Sequence, residues 1–92
     1  MAVNVIIPTM LRTLTGGQDT VQVEATSIRE LVPALDASHP GIGGRLINAQ
    51  GALNRFMGFY VNGEDIRFLQ DMDTPLKDGD EISLVANVAG GK

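Results

Sequence analysis

The sequence of 92 residues contains no cysteine, and its only histidine is His39. Without cysteine the chain has no disulfide scaffold, no thiolate metal site, no cysteine nucleophile and no side chain that could hold a thioester. A single histidine excludes a histidine-based metal cluster, and we expect no metal site. The sequence also lacks a basic N-terminal region and a long apolar run, so we expect neither a signal peptide nor a transmembrane helix.

Basic residues are the minority among the charged ones. Eleven acidic residues against seven basic ones give a formal charge of −4. This balance argues against nucleic acid as a partner and favours a partner protein with a basic surface. The length fits one domain, and a small domain without disulfides suits the cytosol, so we expect a cytoplasmic protein with no membrane partner.

Hydrophobic patterning predicts a hairpin followed by a helix. Residues 3–7 are β-branched and apolar, and residues 20–23 alternate polar and apolar, with a glycine turn between the two segments. Ser27 followed by Glu30 is typical of a capping box at a helix start. Pro33 lies inside the predicted helix, where we expect a kink or a 3₁₀-like start. The residues at helical spacing that form one apolar stripe are Ile28, Leu31, Val32 and Leu35.

The second half of the sequence predicts β-structure. Residues 55–61 are typical of a strand, and the dipeptide Asn62-Gly63 predicts a tight turn. A short strand or turn around residues 66–69 is expected to pack on the core, and residues 81–86 form a last strand. With one helix to cover one sheet face, the first and last strands would lie parallel at the centre. The predicted fold is α+β, a ubiquitin-like β-grasp domain over residues 1–86 with a flexible tail over 87–92.

The tail has a distinctive composition. The chain ends with a glycine pair, Gly90 and Gly91, followed by Lys92. Two glycines on a free tail make a slim strand that can enter a narrow site on another protein. The tail is therefore the candidate functional segment of the chain.

Several segments together resemble the ubiquitin-like sulfur carriers of the ThiS/MoaD family, over nearly the whole chain. These segments are Val5-Ile6-Ile7-Pro8, Ser27-Ile28-Arg29-Glu30-Leu31, His39-Pro40-Gly41-Ile42, Phe59-Tyr60-Val61-Asn62-Gly63-Glu64-Asp65-Ile66, Leu76-Lys77-Asp78-Gly79-Asp80-Glu81-Ile82 and Val88-Ala89-Gly90-Gly91. Within the family, residues 7–12, 15–17 and 54–56 are most similar to the CysO-type carriers of cysteine biosynthesis.

The resemblance implies a protein cosubstrate and not an enzyme. In the family, an E1-like enzyme uses ATP to adenylate the C-terminal glycine carboxylate, and sulfur then displaces AMP to give a thiocarboxylate. A sulfur-accepting enzyme, such as a cysteine synthase, consumes that sulfur. By this resemblance the thiocarboxylate forms on Gly91, and a partner grips Asn87, Val88, Ala89 and Gly90 as an extended strand. The carrier binds no cofactor, because the ATP belongs to the partner.

Lys92 departs from the finished family pattern. While it is attached, Gly91 is an amide and cannot be adenylated. Some carriers of the family have residues beyond the glycine pair, and a zinc metallopeptidase removes them. Our hypothesis is that Gly91 and Lys92 form such a processing site; the alternative is that Lys92 is a cloning remnant or a harmless variant.

The strand predicted over residues 55–61 is apolar on both faces. Phe59 should point to the helix, which leaves Phe56 and Tyr60 on the open face of the sheet, near Ile82 or Leu84. Small sheets always expose some apolar surface. The family docks its partners through this face, and we therefore interpret Phe56 and Tyr60 as a partner-docking surface.

Three alternatives stay open from the sequence. The same tail could be conjugated to lysines through Gly91, as in ubiquitin-like protein modifiers. The carried sulfur could serve thiazole or molybdopterin synthesis. The chain could also be a plain interaction domain, in which case deletion of residues 90–92 would change nothing.

Overall fold

Five strands form one mixed sheet in the computed structural model, which describes residues 2–54 and 56–86. The strands are β1 (Ala2–Ile6), β2 (Thr20–Glu24), β3 (Met57–Val61), β4 (Glu64–Asp65) and β5 (Glu81–Ala86). The helices are α1 (Ile28–Ser38) and α2 (Gly43–Leu46), with 3₁₀ helices at Thr9–Thr15, Ile66–Phe68 and Asp71–Asp73.

The sheet order is β2-β1-β5-β3-β4. The first and last strands are parallel neighbours, with Val5 opposite Ile82. β1 pairs with β2 antiparallel, and β3 pairs antiparallel with both β5 and β4. The predicted β-grasp arrangement is confirmed, and β5 has a strand partner on both sides.

The start of α1 has the predicted N-cap bond at Ser27, but the return bonds to Glu30 come from Thr26 and not from Ser27 as in a capping box. The Ser27 hydroxyl oxygen accepts a hydrogen bond from the Glu30 N–H at 3.3 Å. The Glu30 carboxylate accepts hydrogen bonds from the hydroxyl and the N–H of Thr26, and these bonds lower the pKa of Glu30. The helix continues as α-helix through Pro33, so the predicted 3₁₀-like start is wrong.

The core lies between α1 and one face of the sheet. The four predicted stripe residues of α1 are all buried. Alternate residues of β1, β3 and β5 meet them from the sheet, including Val5, Phe59 and Ile82. The period-two burial of the strands leaves the opposite sheet face open.

Three sequence expectations need correction. The connection between β1 and β2 is a 3₁₀ helix over Thr9–Thr15 before the turn, and not a simple hairpin turn. β3 begins at Met57, later than predicted. Ile66 packs in the core as expected, but Phe68 is 83% exposed. The segment forms a 3₁₀ turn with three residues per turn, so a single side chain of the three faces inward.

The tight turn at Asn62 and Gly63 is confirmed. Both residues have positive φ, 51° and 90°, as a two-residue hairpin turn requires. Among the helices of the described residues, none has the length and apolar character needed to cross a membrane.

Candidate functional site

β5 is the element that carries the predicted functional tail. It ends at Ala86, and the predicted tail and processing residues lie outside the described residues. These residues are Asn87, Val88, Ala89, Gly90, Gly91 and Lys92. The structural features that bear on the site are therefore those around Ala86, the last described residue before the tail, which we call the tail base.

Three elements meet at this base. Met57, the first residue of β3, lies opposite Ala86 in the antiparallel pair. β1 runs parallel to β5 and ends at Ile6, which lies opposite Ser83, three residues before Ala86. The 3₁₀ helix Thr9–Thr15 follows β1 there and exposes Met10. Met57 is therefore the apolar side chain that the strand pairing places directly opposite Ala86.

Asn54 fixes the entry of the chain into β3. Its side-chain oxygen accepts a hydrogen bond from the Phe56 N–H at 2.9 Å, and its carbonyl accepts one from the Met57 N–H at 2.9 Å. The Asn54 N–H donates to the Leu46 carbonyl at 2.8 Å, which ties the segment to α2. Asn54 therefore positions Phe56, which precedes β3, and Met57, which begins β3 beside the tail base.

The open sheet face has an apolar half and a polar half. Near the tail base, Ile6, Ser83 and Tyr60 form one cross-strand row, and Val85 lies opposite Gly58 in the next row. We call Ile6, Tyr60 and Val85 the open-face patch; Val85 is 39% exposed. Gly58 has no side chain, so the patch is shallow at that point.

The polar half lies toward the other end of the strands. Asn4 is opposite Gln22 on one side and Glu81 on the other, and the Gln22 side-chain amide donates to the Asn4 side-chain oxygen at 3.4 Å. Water can hydrogen-bond to these polar groups, whereas burial of the apolar open-face patch under a partner protein is favourable. The apolar half is therefore the half suited to a protein partner.

The two predicted docking residues, Phe56 and Tyr60, are both among the described residues. Tyr60 lies on the open face, as predicted from its position in β3. Ile82 and Leu84, the neighbours predicted for it, are buried on the opposite face, because alternate residues of β5 point to opposite sides; this part of the prediction is wrong. Phe56 precedes β3 and is 47% exposed.

No group of three or more histidine, aspartate or glutamate side chains within residues 2–54 and 56–86 is arranged to hold a metal ion.

Comparison with known proteins decides the family. Residues 5–91 match the ThiS family. The chain belongs to the ThiS family. It is 41% identical to the sulfur carrier protein CysO of Mycobacterium tuberculosis over 93 aligned positions, which cover 99% of this chain and 100% of that protein. The resemblance drawn from the sequence motifs, including the similarity to the CysO type, is confirmed.

Two further relatives extend the comparison for this ThiS-family chain. A chain in the crystal structure of the Amycolatopsis orientalis BexX/CysO complex superimposes with a TM-score of 0.89 at 40% identity, covering 97% of this chain and 99% of that one. Small archaeal modifier protein 3 of Haloferax volcanii is 34% identical over 65 residues, 71% of this chain and 70% of that protein.

Sequence reasoning missed Ile6, Val85 and Asn54 at the site of this ThiS-family protein. The first two could have been found from strand parity, because Val5 and Leu84 are the core residues next to them. Asn54 gave no such signal, since its role depends on a tertiary contact with α2.

Proposed function

We propose that this protein is a sulfur carrier of the CysO type, with Gly91 as the residue that carries the sulfur. The observation that supports this most strongly is the identity of 41% to CysO over essentially the full length of both chains. The match to the ThiS family extends through residue 91, so it includes the glycine pair.

On this proposal, activation of the tail takes three steps. Water first hydrolyses the peptide bond between Gly91 and Lys92, which frees the Gly91 carboxylate. That carboxylate, ionised at neutral pH, attacks the α-phosphorus of ATP, and pyrophosphate leaves. Sulfide then attacks the acyl carbon; the C–S bond forms as the C–O bond to AMP breaks, and the product is a thiocarboxylate. A persulfide donor displaces AMP in the same way but leaves an acyl disulfide, and a thiol must then cleave its S–S bond, becoming part of a disulfide itself, to release the thiocarboxylate.

The fold supports this chemistry by placing the tail on a rigid base. β5 pairs with β1 through Glu81, Ile82 and Ser83 and with β3 as far as Ala86, so Ala86 is held opposite Met57 of β3. The described residues provide no catalytic machinery of their own for the reaction, and the proposal gives the tail to partner enzymes. Asn87, Val88, Ala89 and Gly90 would lie extended in those enzymes.

Three partners follow from the proposal. An E1-like enzyme supplies ATP and adenylates Gly91, so the carrier itself needs no bound cofactor. A sulfur-accepting enzyme, by the CysO likeness a cysteine synthase, consumes the thiocarboxylate. A zinc metallopeptidase removes Lys92. We place this cycle in the cytoplasm, where sulfide donors and ATP are available.

The test is reconstitution followed by intact-mass measurement. Chains ending at Gly91 and at Lys92 are each incubated with the activating enzyme of the same organism, ATP and sulfide. The proposal expects exchange of one oxygen for sulfur on the chain ending at Gly91 and none on the chain ending at Lys92. A thiocarboxylate on the intact chain ending at Lys92 would contradict the processing step, and no product on either chain would contradict the carrier function.

Protein conjugation is the second candidate, favoured by the likeness to a small archaeal modifier protein. Here the Gly91 acyl group passes from AMP to a lysine amine of a target. Once Lys92 is removed, Lys77 is the only lysine left in the chain, so self-conjugation through a lysine requires Lys77. Isopeptide-linked products in cells expressing the tagged chain would favour this candidate; a thiocarboxylate without any conjugate would exclude it.

A further inference from the structure

Negative charge is concentrated in one segment of the chain. Residues 64–81 contain seven of the eleven acidic residues and two of the seven basic ones, a net charge of −5. The whole chain carries −4, so the remainder is close to neutral. The segment includes β4 and the 3₁₀ helices Ile66–Phe68 and Asp71–Asp73, at the edge of the sheet opposite β2.

Two large apolar side chains are exposed inside this acidic segment. Phe68 is 83% exposed and Leu69 is 37% exposed. An aromatic ring that is exposed to water does not contribute to the stability of the folded chain. Aromatic residues are enriched at the centres of protein interfaces. We call Phe68, Leu69, Glu64 and Asp71 the Phe68 surface.

The charges around Phe68 leave net negative potential. Arg67 precedes Phe68 in the chain, and it is held by Asp65 through three side-chain hydrogen bonds, the shortest 2.7 Å. This pairing lowers the pKa of Asp65 and raises that of Arg67, so each neutralises the other. The Glu64 and Asp71 carboxylates make no hydrogen bond or salt bridge within residues 2–54 and 56–86. They are available to Lys or Arg of a partner.

A cavity of about 370 Å³ lies between the tail base and Asp71, which is the one residue of the Phe68 surface among its lining residues. Leu53, Met57, Ile66 and Met72 supply apolar lining, and Arg67 and Asp71 stand at its polar side. Met57 is also the residue opposite Ala86. A protein that holds the tail beyond Ala86 and covers the β3 edge would therefore reach this cavity and Asp71. Glu64 and Leu69 line a second cavity farther along β3, beside Val61.

We propose that the Phe68 surface is a second contact for the enzyme that activates the tail. The matching surface on that enzyme is an apolar recess for Phe68, rimmed by Lys or Arg side chains that face Glu64 and Asp71. The charge complementarity selects this partner, because an enzyme that holds a nucleoside triphosphate does so with cationic side chains and presents positive potential around its site. The inference rests on the proposed function for the identity of the partner.

The test is equilibrium binding, which needs no chemistry on the tail. Fluorescently labelled chain is titrated with the activating enzyme at low and at physiological salt. Phe68→Ser should raise the Kd about tenfold, as loss of an aromatic anchor does. The double variant Glu64→Gln/Asp71→Asn should raise the Kd at low salt about threefold or more and flatten its salt dependence. Asparagine keeps the left-handed backbone that residue 71 adopts, with φ of 54°.

The matched control is Asp19→Asn/Glu24→Gln, which removes the same charge at the opposite edge of the sheet, and it should leave the Kd and its salt dependence near those of the wild type. Thermal melts of all variants report folding separately. Unchanged binding by Phe68→Ser, equal effects of the two double variants, or no binding of the wild-type chain each overturns the inference. Thiocarboxylate formation on the chain ending at Gly91, measured in parallel, tests the proposed function alone.

Discussion

Met57 lies directly opposite Ala86, so the first residue of β3 pairs with the last residue of β5 at one end of the strands. This pairing brings the open-face patch, the anchored segment at Asn54 and the exposed Phe56 to the point where the chain continues toward Gly91. The consequences of that geometry can be measured residue by residue.

Tyr60→Glu should weaken activation without unfolding the domain. Tyr60 is half-buried in the open-face patch, and a carboxylate there must be desolvated when a partner covers the patch. We expect the KM of the activating enzyme for the chain ending at Gly91 to rise about tenfold, with the thermal melt little changed. Gln22→Glu places the same charge on the polar half of the same face and should change the KM by less than about twofold. An unaltered activation rate for Tyr60→Glu would count against the open-face patch as a docking surface.

Asn54→Ala should destabilise the domain by about 1 kcal/mol, because the Phe56 N–H loses its acceptor. Urea unfolding measures the change. Asn54→Asp keeps the acceptor oxygen and loses only the weaker donation to the Arg45 carbonyl at 3.4 Å, so it should recover most of the stability. If both variants lose the same free energy, the acceptor at residue 54 does not fix the start of β3.

Ser27→Ala should cost about 1 kcal/mol of unfolding free energy through loss of the N-cap bond to the Glu30 N–H. Ser27→Asp retains an acceptor at the N-cap and should stay close to the wild type in the same urea titration. Equal stability of the alanine variant and the wild type would show that the cap at Ser27 contributes nothing in this context.

Acid should destabilise the fold through carboxyl groups whose pKa is lowered in the folded chain. Hydrogen bonds from the Lys77 N–H and the Asn62 side-chain amide lower the pKa of Asp80 below its ordinary 3.8. The stabilisation of the fold by the ionised Asp80 is fully present above that ordinary pKa. This stabilisation is lost as the pH falls through the lowered pKa of the folded chain. Unfolding free energies at about pH 7 and about pH 3 should therefore differ less for Asp80→Asn than for the wild type. An equal acid-induced loss of unfolding free energy in the variant and the wild type would show that Asp80 does not contribute to the pH dependence of stability.

Local chemistry made much of the fold predictable. Ser27 and Glu30 mark a helix start by their own hydrogen bonds, and Asn62 with Gly63 specifies a turn by its backbone preference. The alternation around Ile82 assigns the faces of β5 without knowledge of its neighbours. These signals lie within a few residues of the structure they predict.

The missed features depend on distant contacts. Phe68 follows Ile66 in an apolar segment, and the sequence does not show that the chain leaves the sheet after β4 and turns as a 3₁₀ helix. Asn54 acts through the carbonyls of Leu46 and Arg45, which only the folded chain brings near. The role of Gly91 came from family resemblance, because a glycine pair by itself carries little specific chemistry.

The central claim is that Gly91 becomes the working end of a sulfur carrier after Lys92 is removed. The most direct measurement is the intact mass of the chain after incubation in an extract of its own cells with ATP and sulfide. The account predicts loss of the lysine mass followed by exchange of one oxygen for sulfur at the new C-terminus. A chain that keeps Lys92, or that loses it and gains neither sulfur nor a conjugate, would contradict it.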